Sequence, residues 1–163
     1  MEDLLLGFRL PVFTKRASRA TITHPKFFYF DCGVYRSIRP AGPLDRPEEI
    51  GGPALEGLVA QHLRAWIAYG DGRHEPFFWR TRGGSEVDFV VYGPTTFRAI
   101  EVRHAARVHR QDLRGLKAFH EDYPEAELQL VYRGTERLVI DNVSCIPCEE
   151  FLLDLKPAEF RVA

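Results

Sequence analysis

The sequence predicts an α/β domain with a mixed sheet, and three observations carry that prediction. Apolar residues recur at helical spacing over 54–69, and three short apolar strands separated by turns follow directly. A second amphipathic stretch, 108–123, then leads into another strand. Helix, three strands, helix, strand is an order that layers helices against a mixed sheet. The chain's 163 residues, 45% hydrophobic and 28% charged, suit a single core.

Taken in order, the opening MEDLLLGFRLPVF is acidic at its start, and Arg9 and Pro11 break its apolar run. It reads as neither a signal peptide nor a membrane span. Residues 1–40 form an amino-terminal extension that contains an aromatic strand, 27–30, ended by Asp31 and Gly33. Asp31 there is a turn former or helix cap. Residues 39–53, RPAGPLDRPEEIGGP, read as loop. Leu55, Leu58, Val59, Leu63, Trp66 and Ile67 give the first helix its apolar face, and Gly70 and Gly72 stop it.

The three strands are 76–81, 86–92 and 97–103. Trp79 and Phe77 share a core face, and Arg80 and Arg82 lie on the other, where they could contact nucleic acid. Leu113, Leu116, Phe119 and Tyr123 line one side of the second helix, while Arg107, Arg110, Arg114 and Lys117 recur along another. That basic row is either a solvated face or a phosphate-contacting stripe. Residues 127–133 and 137–146 read as further strands, and PCEEFLLDL as a helix opened by Pro147. The whole is one domain, 1–163, with a core over 54–133 and a terminal strand and helix over 137–155.

Composition excludes several function classes. Twenty-two basic residues against 23 acidic ones give a net charge of −1, so nucleic-acid affinity requires a local patch. Three cysteines and no targeting segment fit a reduced, cytoplasmic protein. Cys145 and Cys148 form a C-x-x-C pair, but zinc wants four ligands and the third cysteine, Cys32, is remote. Free thiols are expected. No G-x-x-x-x-G-K-[ST] occurs, so no ATP binding is expected.

The segment SEVDFVVYGPTTFRAIEVRH sets Glu86, Asp88 and Glu101 inside strands that otherwise read as buried. Charges there cost free energy unless something pairs with them. A turn centred on Pro94 and Thr95, carried by a four-residue type I loop, puts Asp88 opposite Glu101 and Glu86 opposite Arg103. Two facing carboxylates call for a cation or a raised pKa. A hard divalent ion answers that need, and Mg²⁺ commonly uses one or two carboxylates plus water. The competing reading is a solvated acid cluster in which Glu86 and Arg103 merely pair.

An acid in a helix, then Asp88, then Glu101-Val102-Arg103 on the next strand resembles the PD-(D/E)XK nuclease superfamily. More specifically, LLLGFRLPVFTKR, HPKFFYFDCGVYR, GPALEGLVAQHLR, FFWRTRGGSEVDFVV, AIEVRHA, DLRGLKAF and IPCEEFLLDL occur in order. Together they resemble the domain of unknown function that follows the ATPase in a family of prokaryotic predicted AAA-type ATPases. The resemblance implies a restriction-endonuclease-like core with added terminal elements, and an ATPase domain upstream in the same or another chain. It implies Glu56, Asp88 and Glu101 as ligands of Mg²⁺ or Mn²⁺, with Asp88, Glu101 and Arg103 at the catalytic positions. Arg80, Arg82, Arg110, Arg114 and Lys117 are the expected nucleic-acid contacts, DNA being favoured. Arg103 stands where the superfamily usually has Lys, so weak or lost cleavage is expected. In some relatives the lysine has moved to the second helix, where Lys117 is the candidate. The alternative is a non-catalytic interaction domain of the ATPase. Lacking a P-loop, the chain is either a carboxyl-terminal fragment or a stand-alone remnant.

Overall fold

The computed structural model describes residues 6–16, 18–38, 42, 47–70 and 73–156. Its elements are β1 (Gly7–Leu10), β2 (Lys26–Tyr29), α1 (Cys32–Ile38), α2 (Pro47–Tyr69), β3 (Glu75–Arg80), β4 (Glu86–Gly93) and β5 (Thr96–Arg103). A 3-10 turn (Arg110–Leu113), α3 (Arg114–Asp122), β6 (Glu127–Tyr132), β7 (Leu138–Ile140), β8 (Val143–Pro147) and α4 (Cys148–Asp154) follow. The chain is mixed α/β.

β1 and β2 pair as an antiparallel ribbon, and the other strands form one six-stranded sheet in the order β3-β4-β5-β6-β8-β7. β3, β4 and β5 are an antiparallel meander; β6 then lies parallel to β5 and β8 parallel to β6. The outer side of β3 is occupied: Phe13 N–H donates to the Phe78 carbonyl at 2.7 Å, and Ile22 N–H to that of Arg80 at 3.1 Å. β7, at the opposite rim, leaves Val139 76% exposed.

Apolar side chains bury on both sides of this sheet. On one, Leu113, Leu116, Phe119 and Tyr123 pack with Trp79, Val90 and Leu130, as their helical spacing predicts. Phe13 plugs into the same side, its ring centroid 5.2 Å from that of Tyr123 and 5.5 Å from that of Phe97. On the other, Val59, Ala60 and Leu63 of α2 cover Phe89, Ile100, Val102 and Val131. Among the described residues no helix is long and apolar enough to cross a membrane.

Several boundaries differ from the sequence reading. α2 begins at Pro47, inside the stretch read as loop; a proline at a helix's first position lacks only an N–H that has no intrahelical partner. Gly72, read as part of the helix stop, lies outside the described residues. The second helix starts at Arg114, preceded by the 3-10 turn in place of a continuous helix from 108. The strand read over 137–146 is a hairpin instead. Asp141 (φ 50°) and Asn142 (φ 66°) both occupy the left-handed region, as a two-residue turn of type I′ requires, and β7 folds back on β8. The segment after β2 forms α1, and Asp31 caps it, its Oδ1 accepting from Val34 N–H at 2.9 Å.

Candidate functional site: an acid pocket holding its own cations

β4 and β5 pair from Gly93↔Thr96 to Phe89↔Ile100, the register expected for a turn centred on Pro94 and Thr95. Pairing reaches Gly93 and Thr96, so the connection is two residues long where a four-residue loop was expected. On its other side β4 shifts register against β3 between Phe77↔Val90 and Trp79↔Val87, which places an extra β4 residue at Asp88–Phe89. A bulge of this kind re-aims side chains and ends regular pairing. Glu86 does not pair with Arg103 as the simple register implied, because Arg103 turns to Glu101 and Asp112. Glu86 instead has Lys26 Nζ at 3.4 Å and Arg80 Nε at 3.6 Å.

The strand acids meet in a pocket of roughly 470 Å³, lined by Glu56, Glu86, Asp88, Glu101, Arg103 and Arg114 and closed by the Gly83-Gly84-Ser85 turn and Gly115. The positions expected on α2, β4 and β5 thus converge. Gly115 permits the closure. A Cβ there would stand 1.9 Å from the Glu86 carbonyl oxygen, so only glycine lets the first turn of α3 rest on the start of β4.

Asp88 and Glu101 are each only 4% exposed. Their counter-charges come from the chain itself. Lys26, from the β1–β2 ribbon, puts its ammonium 2.8 Å from Glu56 Oε2 and 3.2 Å from Asp88 Oδ1. Asp88 Oδ2 accepts from Val102 N–H at 2.9 Å. Arg103 folds back along β5, with Nη2 2.5 Å from Glu101 Oε1 and Nη1 donating to the Val102 carbonyl at 3.2 Å. Its Nε lies 3.7 Å from Asp112. Glu101 Oε2 is buried with no hydrogen-bond partner.

Four carboxylates therefore crowd together with Lys26 and Arg103, and the protonation of Glu101, Glu56 and Lys26 responds. Burial and the neighbouring Asp88 push the Glu101 carboxyl well above the usual range, against the pull of Arg103. The same two causes raise Glu56, opposed by Lys26. Burial disfavours the Lys26 ammonium, but Asp88, Glu56 and Glu86 outweigh it, and Lys26 titrates above its ordinary value. Carboxyls held high in a cleft can exchange protons nearer neutrality, which is the condition for acid–base work.

The basic positions divide. Arg114 lines the pocket, and Arg80 flanks it through Glu86. Arg82 is exposed on the β3–β4 turn and is not among the lining residues. Lys117 is drawn to Asp141 at 2.6 Å and, like Arg110, is not among the residues lining this pocket. The lysine that does reach the pocket's acids is Lys26, and nothing local in PKFFYF marks it.

The donor chemistry fits a hard divalent cation. Asp88 and Glu101 offer carboxylate oxygens, and the orphaned, buried Glu101 Oε2 belongs to the pocket. Glu56, Asp88 and Glu101, expected as three ligands, are not grouped as such a set, the Lys26 ammonium lying between Glu56 and Asp88; among the described residues no three His, Cys, Asp or Glu side chains are grouped to hold a metal. Cys145 is fully buried and Cys148 half-buried, both free, with burial raising each thiol.

The fold and pocket define a mixed α/β domain whose acid cluster draws its counter-charges from within. Residues 51–151, more than half the chain, match the family described as domain of unknown function DUF4143, and the chain belongs to that family. Lys26 lies outside the matched segment. No curated protein and no solved structure matches the chain.

Proposed function

We propose that this domain is a nuclease-like accessory module of a predicted ATPase, with a restriction-endonuclease-like core, that binds nucleic acid at the acid pocket and cleaves it weakly or not at all. The observation that supports this reading best is Glu101: a buried carboxylate beside Asp88, with one oxygen unpartnered in a pocket rimmed by Arg103 and Arg114. Asp88 and Glu101, with Glu56 nearby, would hold Mg²⁺ or Mn²⁺, which supplies polarisation of a phosphate and acidification of water.

The chain's own groups account for the attenuation. A guanidinium has no lone pair with which to take a proton from water, and the fork of Arg103 is committed to Glu101 and the Val102 carbonyl. Lys26 is held as ammonium by three carboxylates and is no base either. Arg114 and Arg80 remain to meet phosphate at the rim.

Binding to DNA that weakens with salt, with plasmid cleavage in Mg²⁺ or Mn²⁺, tests the reading. Arg103→Lys is expected to raise cleavage, by up to about 10²-fold if it restores acid–base help. Adding Asp88→Ala should abolish that gain. Efficient cleavage by wild type that Lys slows would refute the attenuated site.

A second reading has its own observation. Tyr69 is 64% and Phe30 47% exposed, and both line an apolar pocket of about 630 Å³ beside α2. Such a patch suits a protein partner, here the ATPase domain. Association with that domain, without any DNA binding, would favour it.

A further inference from the structure

Two cations of the chain sit among the pocket's four carboxylates, and they are attached differently. Arg103 is part of β5 and grips its own strand. Lys26 comes from the separate β1–β2 ribbon, which is not hydrogen-bonded into the six-stranded sheet. Its ammonium meets Glu56, Glu86 and Asp88 at 2.8, 3.4 and 3.2 Å, so one point charge bridges carboxylates of α2 and β4. A compact cation held by several carboxylate oxygens is placed as a small metal ion would be. Beside it, Glu101 Oε2 is buried without a partner.

From this juxtaposition we infer that the Lys26 ammonium and a divalent cation compete for Asp88 and Glu56, so that the metal enters only as Lys26 leaves. The inference rests on reading Asp88 and Glu101 as ligands of that cation. Two positive ions cannot share Asp88 Oδ1 without strong mutual repulsion in so buried a place. Lys26 therefore works as an internal plug: it offsets part of the empty pocket's negative charge and sets the threshold concentration at which metal loads. Its long flexible stem lets it withdraw while β2 stays paired with β1.

Calorimetric titration of the full chain with Mn²⁺ tests this on wild type, Lys26→Met and Lys26→Met with Glu101→Gln. Removing the competing charge is expected to tighten Mn²⁺ binding by at least about tenfold. Loss of that gain in the double variant would locate the ion at Glu101. Equal or weaker binding by Lys26→Met, or no Mn²⁺ binding to either protein, overturns the inference. Because Lys26→Met also removes a buried counter-charge that stabilises the fold, a second measurement uses wild type alone: acetylation of Lys26 by acetic anhydride, followed by mass spectrometry with and without Mn²⁺. An ammonium gripped by carboxylates is protected, so Mn²⁺ should speed labelling at Lys26 while leaving Lys117 unchanged. Unchanged or slower labelling at Lys26 overturns the inference. Should competition appear without DNA binding, the plug stands and the nucleic-acid reading falls.

Discussion

Replacing Lys26 by Met removes the charge and keeps a side chain able to lie along Phe28, whose ring centre is 5.5 Å from the ammonium. Breaking a buried ion pair by deleting one partner typically costs about 3–5 kcal/mol. The Lys26 and Glu56 side chains are 24% and 23% exposed, so water recovers part of that loss. About 2–3 kcal/mol at pH 7.5 is the expected cost. Lys26, raised above its ordinary value, stabilises fully below the unfolded lysine pKa and loses this only as pH climbs through its folded value. It does not titrate between pH 4.5 and 7.5. The carboxyls do: Glu101 and Glu56 are already raised, and without Lys26 they bind protons more readily still. Protonation relieves the repulsion, so at pH 4.5 the cost should fall below about 1 kcal/mol. Urea unfolding of both proteins at the two pH values measures this. A cost that is the same at both, or one near zero at pH 7.5, would refute the assignment of Lys26 as the cluster's counter-charge.

Two glycine substitutions should have opposite signs. Gly115→Ala drives a Cβ to 1.9 Å from the Glu86 carbonyl, and overpacking of about 1–3 kcal/mol exceeds the gain of about 1 kcal/mol in helix propensity, so the midpoint in urea should drop. Gly57→Ala in α2 meets only Cys32 Cβ, at 4.0 Å, an ordinary contact, and should stabilise by about 0.5–1 kcal/mol in the same assay. Glu101→Gln should flatten the dependence of Tm on pH. Because the folded pKa of Glu101 is raised, wild type gains stability as pH falls through that value toward the ordinary one, and loses it above. The variant has no such proton to bind, and parallel curves from pH 5 to 8 would contradict the raised carboxyl.

The core elements were legible because each repeats its pattern over several residues. Leu113, Leu116, Phe119 and Tyr123 are all buried as their spacing implied, and the meander's register followed from one proline-containing turn. What escaped was set by single residues acting at long range. The bulge at Asp88–Phe89, on the β3 side of β4, has no glycine to announce it. Asp141-Asn142 marks a tight hairpin, yet the flanking apolar residues read equally as one long strand. Phe13 looks like an extension residue but completes an aromatic cluster with partners from β3, β4, β5 and α3. The cation demanded by the acids lies 62 residues before Asp88, where no local pattern connects the two.

The six-stranded sheet has two unlike rims. Along β3, backbone from Pro11 to Ile22 takes up the outward hydrogen-bonding groups, with Phe78 N–H donating to the Pro11 carbonyl at 3.0 Å and Arg82 N–H to that of Ala20 at 2.9 Å. That rim is sealed by its own chain. β7, only Leu138–Ile140, carries the exposed Val139 on a rim with no strand beyond it among the described residues. A sheet so built can grow in one direction only, and its shortness there limits how far a foreign strand could zip along it. β6 and β8 stand between that rim and β5, so recruitment of another chain by strand addition would leave the mouth of the acid pocket clear. The open rim and the acid pocket thus lie on opposite sides of β6 in the same sheet.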